Sequence, residues 1–171
     1  MQLPTPTEYN LAYQKYIDLV AQGNYRELLR LNGEVTAQTF AQVPPPKHDY
    51  RYAEDKWTIK ELLMHLIDTE RVFAFRALAA ARRDESPVYR MDEELYARNV
   101  DVSKRSMESL VSEFRIVRQG SECLFENLTD EQSRLLCNVV THPISVRAIG
   151  YFLIGHVQHH LGILRERYLA D

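Results

Sequence analysis

The segment from Trp57 to Leu62 fixes the start of a long helix. In Thr58-Ile59-Lys60-Glu61 the threonine hydroxyl can accept from the Glu61 amide while the Glu61 carboxylate reaches back to the cap, a reciprocal capping box. Trp57 before the cap and Leu62 at the fourth helical position form the matching hydrophobic staple. Ile59, Leu62, Leu66, Phe73 and Ala77 then form an apolar stripe that predicts helix to about Arg83. Turn formers are scarce throughout: six glycines and seven prolines in 171 residues fall well below the ~12% of average usage. Few turns imply long elements.

The same reading places helices over Glu8 to Ala21 and Tyr25 to Gln42, with Gly33 leaving room for an interruption in the second. Val43-Pro44-Pro45-Pro46 and the polar stretch to Asp55 make an extended connection. Residues Asp84 to Asp101 read as a long loop with a short helical piece at Asp92 to Arg98. A third long helix opens at Ser103 and carries Met107, Leu110, Val111, Phe114, Val117, Leu124, Phe125 and Leu128 at a 3.6-residue period. A second capping box, Thr129-Asp130-Glu131-Gln132, starts a short helix to Leu136, and Ser145 caps a last helix running to about Leu169. No segment alternates with period 2 long enough to predict a strand. The expected fold is an all-α four-helix bundle, one domain over residues 1–171, with a long connection and short extra helices.

Charge and composition narrow the function. A net charge of −3 without a basic stripe excludes an ordinary nucleic-acid binder. No apolar run approaches the ~18 residues of a membrane span, and Met1 to Asn10 lacks the basic and apolar regions of a secretory signal. Cys123 and Cys137 are too few for a disulfide framework or a four-cysteine zinc site. Cytoplasmic location and buried, inert thiols are the expectation.

Three of the six glycines and three of the six histidines fall between Gly150 and Gly162. On a wheel of about 100° per residue, His156 and His160 share an otherwise apolar face with Ile149, Phe152, Leu153, Ile163 and Arg167. His159 lies on the adjoining side with Gly155 and Gly162, a face suited to close packing. Imidazoles at i and i+4 can hold one cation. Val157 stands where a zincin carries its general base, and no Glu precedes a histidine by three residues, which excludes zincin and di-iron carboxylate sites. A mononuclear imidazole site remains. His65, at the edge of the apolar stripe of the Thr58-capped helix, is the best third ligand. Glu61, Asp68 and Glu70 are candidates to orient it from behind. Three neutral imidazoles make an open, catalytic-type site for Zn, Ni, Fe or Cu. Hydrogen-bonded core histidines are the alternative. His142 falls at the mouth of the site or on the surface, and His48 in the exposed linker.

These residues also carry a family resemblance. Trp57 to Glu61, His65 to Arg71 and Phe73 to Leu78 resemble the first signature of the DinB/YfiT-like superfamily. Ser145 to Ala148 with Gly155-His156 and His159-His160 is similar to the second. The resemblance covers nearly the whole chain. It implies a four-helix bundle of unusual connection order, one divalent metal on His65, His156 and His160, and a homodimer. Relatives include S-transferases and isomerases that use bacillithiol, mycothiol or glutathione. The expected function is therefore a metal-dependent thiol S-transferase joining a low-molecular-weight thiol to a small electrophile. The alternative is a non-enzymatic, dimeric stress-related bundle with a structural metal or none.

Overall fold

A computed structural model describes residues 3–140 and 142–170. Four long helices form the bundle: α2 (Tyr25–Ala41), α3 (Ile59–Ala81), α5 (Met107–Glu126) and α7 (Val146–Ile163). Shorter helices are α1 (Gln14–Ile17), α4 (Glu93–Asn99) and α6 (Asp130–Ser133). Each of α2 and α3 packs against both α5 and α7. The helices α2 and α3, consecutive in sequence among the long ones, therefore lie diagonally across the bundle, and so do α5 and α7. Residues 42–58 and 127–145 make the two diagonal crossings, which is why both connections are long.

Local chemistry accounts for the helix starts. The Glu61 amide donates to Thr58 Oγ1 at 3.1 Å, and the Thr58 amide to Glu61 Oε2 at 2.7 Å. Gln132 and Thr129 close the second box at 3.1 and 2.9 Å. Asn24 caps α2, Asp92 caps α4 and Ser145 caps α7.

The structure differs from the sequence expectation at several places. The cap of α5 is Ser106, three residues later than Ser103. The expected first helix is broken into 3-10 turns at Pro6–Glu8 and Leu11–Tyr13 before α1. Asn10 is the cause: its side chain accepts from the Ala12 amide at 2.9 Å and restarts the backbone within the run. A two-stranded antiparallel sheet also forms, β1 (Leu136–Cys137) with β2 (Ile144–Ser145). Strands of two residues are too short for alternation to show. The Val88 amide donates to Asn138 O and the Val140 amide to Val88 O, tying the long 84–101 loop to this hairpin. The last turn is a π turn, Leu164–Tyr168. Tyr168 is buried there, while Arg167, expected on the inner face, is exposed.

The core has two apolar clusters. One holds Tyr25, Leu29, Phe73, Phe125, Tyr151 and Phe152. The other holds Phe40, Ile59, Leu62, Phe114, Val157 and Tyr168, with Trp57 packed against it. Polar side chains lie along the helices where the clusters meet. Arg118 of α5 forks onto Glu70 of α3 at 2.9 and 2.8 Å and donates to Leu29 O and Asn32 Oδ1 of α2, both at 3.0 Å. Gly33 makes this possible: a Cβ there would stand 2.7 Å from Arg118 Cγ. The helix α2 is continuous through Gly33, so the residue accommodates an arginine instead of interrupting a helix.

Gly155 serves close approach more directly. A Cβ at that position would lie 1.9 Å from the Tyr16 carbonyl oxygen, so the N-terminal segment rests on the backbone of α7. Gly162, expected to share this role, faces open space among the described residues. The other anchor of the N-terminal segment is Glu8, which accepts from Ser145 Oγ at 2.8 Å, Arg147 Nε at 2.7 Å and Arg147 Nη2. Burial pushes the Glu8 carboxyl up, but the hydrogen bonds from Arg147, the Thr5 amide and Ser145 outweigh it and hold the carboxyl at about 2, against an ordinary 4.5. A depressed carboxyl stabilises the fold above its unfolded pKa and loses that contribution as pH falls through its folded pKa. Glu8→Gln is expected to cost about 2 kcal/mol at pH 7, after allowance for solvent screening. The gap between wild type and variant in urea denaturation should shrink by roughly half at pH 3.

Candidate metal centre

Facing ladders of side chains on α3 and α7 build the site. His65, Thr69, Phe73 and Arg76 follow one another at helical spacing on α3, and Phe152, His156 and His160 on α7. Where the ladders converge, His156 Nε2 lies 3.1 Å from His65 Nε2 and 3.1 Å from His160 Nε2. Ligand atoms of all three fall within 4.8 Å of one another. Two nitrogens each ~2.05 Å from a tetrahedral zinc lie about 3.3 Å apart, so the spacing suits a cation. His156 and His160 are buried and His65 is half-buried.

Electrostatics favour neutral rings. Burial holds His65 down at about 4, with the Glu93 charge acting in the other direction. Burial first, then the neighbouring histidines, hold His156 well below its ordinary value and His160 at about 2. Imidazole lone pairs must be free to bind a metal, and here they are free at neutral pH. His160 Nδ1 is buried with no hydrogen-bond partner, so the core does not satisfy this ring as it would an ordinary buried histidine. Three neutral imidazoles whose nitrogens point at one another form a donor set that fits a divalent ion.

The histidines lie at one end of a cleft of about 590 Å³. Trp57 tilts over His65 with ring centroids 4.5 Å apart. The edge of Tyr16 meets His156 at 5.5 Å and His159 at 5.4 Å. Phe152 stacks on His156 at 5.2 Å and on Phe73 at 4.2 Å. Lys15, Arg76 and Arg90 line the cleft, with Glu93 as its carboxylate.

The three acidic residues expected behind His65 are engaged elsewhere. Glu61 closes the capping box and pairs with Arg51 at 2.8 Å. Asp68 lies 3.6 Å from Arg71, and Glu70 is held by Arg118. Glu93 is instead the carboxylate whose charge reaches His65. It enters from the 84–101 loop region, on α4, close to the short helical piece expected at Asp92 to Arg98, though nothing in the sequence marked Glu93 as part of the site. Arg76 carried a signal: a cation eleven residues past His65 on the face of an apolar stripe. His142 lines the mouth of the cleft, where its Nδ1 pairs with Asn10 Nδ2 at 2.8 Å. His159 is half-buried beside Tyr16, outside the cluster. His48 is half-buried as well, with Nε2 2.9 Å from Val43 O, contrary to the exposed placement expected. Cys137 is buried as expected, but Cys123 is exposed on α5.

Sequence comparison at the family level matches residues 28–164 to the DinB superfamily. The chain belongs to the DinB superfamily. Both helices that carry the histidines lie within the match. Comparison with curated proteins returns no match. Among solved structures, the chain is similar to YfiT from Bacillus subtilis, a probable metal-dependent hydrolase with an unusual four-helix bundle topology. The TM-score is 0.68 at 17% identity, covering 95% of this chain and 89% of YfiT. The diagonal order of α2, α3, α5 and α7 is thus a DinB-superfamily bundle. Among the described residues, no helix is long and apolar enough to cross a membrane.

Proposed function

We propose that this DinB-superfamily protein is a divalent-metal-dependent enzyme of the thiol S-transferase type, joining a low-molecular-weight thiol to a small electrophile. The convergence of three neutral imidazole nitrogens at the end of an open cleft carries this reading. His65, His156 and His160 would hold one Zn, Ni or Fe ion. When bound, such an ion supplies Lewis acidity that raises the share of deprotonated nucleophile near neutral pH. Trp57, Phe73 and Phe152 offer flat apolar faces to a small electrophile and reduce the water around the reacting atoms. A structural metal, as in the non-enzymatic reading, is ordinarily closed by four protein ligands; three ligands beside a cleft favour catalysis. Homodimerisation in the cytoplasm is part of the proposal.

Hydrolysis is the second reading. Glu93 favours it, because a carboxylate in the cleft near the histidines can accept a proton from water, and YfiT is described as a probable hydrolase. The test is elemental analysis of the purified protein, followed by conjugation of bacillithiol or glutathione to 1-chloro-2,4-dinitrobenzene. One metal per chain is expected, with conjugation at least 100-fold slower in His160→Ala. Conjugation unchanged in that variant sinks the transferase reading. Hydrolysis of p-nitrophenyl acetate that fails in Glu93→Gln while conjugation is absent selects the second.

A further inference from the structure

Three arginines are nearly inaccessible to solvent, and they are not treated alike. Arg118 is matched by Glu70 and Arg147 by Glu8. Arg76, 2% exposed on α3, has no carboxylate within 4.0 Å among the described residues. Its Nη2 donates to Tyr89 O at 3.0 Å, its guanidinium lies 4.5 Å over the Phe73 ring, and its Nε is buried with no hydrogen-bond partner. Glu93, the carboxylate of the cleft, lies 3.6 Å from Arg90. A buried cation held by a carbonyl, a ring face and the neutral Tyr13 hydroxyl, with its Nε–H unpartnered, is costly unless an anion joins it. Arg76 lines the same cleft as the histidines, so the anion can come from a ligand.

We infer that Arg76 is the subsite for a terminal oxyanion, a carboxylate or a phosphate, of the molecule that occupies the cleft. The inference rests on the cleft being the substrate site of the proposed enzyme, and it adds the substrate class. Arg76 follows His65 by eleven residues, about 16 Å along the helix axis and nearly the same rotation. Phe73 and Phe152, stacked at 4.2 Å, and Tyr13, whose ring centroid is 4.8 Å from that of Phe152, lie between the two ends. The cleft therefore selects an elongated molecule with its reactive group at the histidines, an apolar or aromatic middle, and an oxyanion at Arg76. The guanidinium fork suits such a group, since it can donate two parallel hydrogen bonds to a carboxylate or phosphate.

Calorimetric titration tests the assignment with 4-phenylbutyrate, 3-phenylpropylphosphonate and the neutral 4-phenylbutyramide. Wild type should bind at least one anion ten-fold or more tightly than the amide, and the stronger of the two identifies the oxyanion. Arg76→Gln should abolish the preference while leaving amide affinity and the circular dichroism spectrum unchanged; Arg76→Lys, which keeps the charge and loses the fork, should retain part of it. Arg90→Gln should keep most of the preference. Equal binding of anion and amide by wild type, no binding of any probe, or a preference that survives Arg76→Gln overturns the inference. So does a preference lost in Arg90→Gln alone. The same titrations on His156→Ala separate the two readings. Anion preference in a protein that holds no metal supports the subsite even where the metal assignment fails. Loss of preference in Arg76→Gln is meaningful only with its metal content unchanged, and an Arg76→Gln protein that does not fold passes the decision to Arg76→Lys.

Discussion

His156→Ala is expected to abolish stoichiometric metal binding. His156 is the central member of the cluster, with its Nε2 3.1 Å from that of each partner. Its removal leaves two imidazoles on different helices. Binding of structural zinc is worth roughly 10–16 kcal/mol over four ligands, so one ligand accounts for about 2.5–4 kcal/mol, a factor of roughly 10²–10³ in affinity. Zinc titration against a chromophoric chelator measures this directly. A thermal readout should agree. Zinc at 100 times its dissociation constant stabilises a native protein by about 2.7 kcal/mol, which wild type should show as a raised Tm and His156→Ala should not. His159→Ala is the matched control, because His159 lies on the same helix but outside the cluster; its zinc affinity should stay close to that of wild type. Equal zinc affinity in wild type and His156→Ala would falsify the three-histidine assignment.

The largest stability effect is expected at Arg118. Arg118→Met removes four hydrogen bonds and leaves Glu70, 1% exposed, without its counter-ion. Breaking one partner out of a buried ion pair costs about 3–5 kcal/mol, because the surviving charge stays in a poor solvent. For a chain of this size that corresponds to a Tm lower by about 10 °C. Arg118→Lys should recover little, since an ammonium cannot form the bidentate fork on Glu70. The double change Arg118→Met with Glu70→Leu should recover most of the loss, because two apolar side chains need no charge partner. Recovery should be incomplete: Asn32 Oδ1 loses its donor as well. Urea denaturation of wild type, Arg118→Met, Glu70→Leu and the double variant at pH 7 yields the coupling energy. A single-mutant loss under 1 kcal/mol would show that the pair is not desolvated.

Much of this architecture is legible in the residues. Capping boxes at Thr58 and Thr129 act within one turn of backbone, so their chemistry is local and the helices begin where the sequence places them. The i,i+4 spacing of His156 and His160 is also local. Features that failed to show depend on partners far away in the chain. Gly33 reads as a helix interruption until Arg118, from another helix, is seen to occupy the space a Cβ would fill. Glu61, Asp68 and Glu70 are near His65 in sequence, but helix geometry and the arginines beside them turn each carboxylate elsewhere. Glu93 is not marked by its neighbours in sequence and reaches the cleft on α4, which packs against α3.

The sequence by itself determined the helical class, the position of the long helices and the histidine pair on one turn of α7, because hydrophobic period, capping and side-chain spacing are properties of a single segment. Only the tertiary structure decided the diagonal order of the helices, the approach of His65 to that pair, and the contrast between an arginine matched by Glu70 and one left facing the cleft. Each depends on which surfaces meet across the bundle, and on whether a charge taken out of water finds its opposite there.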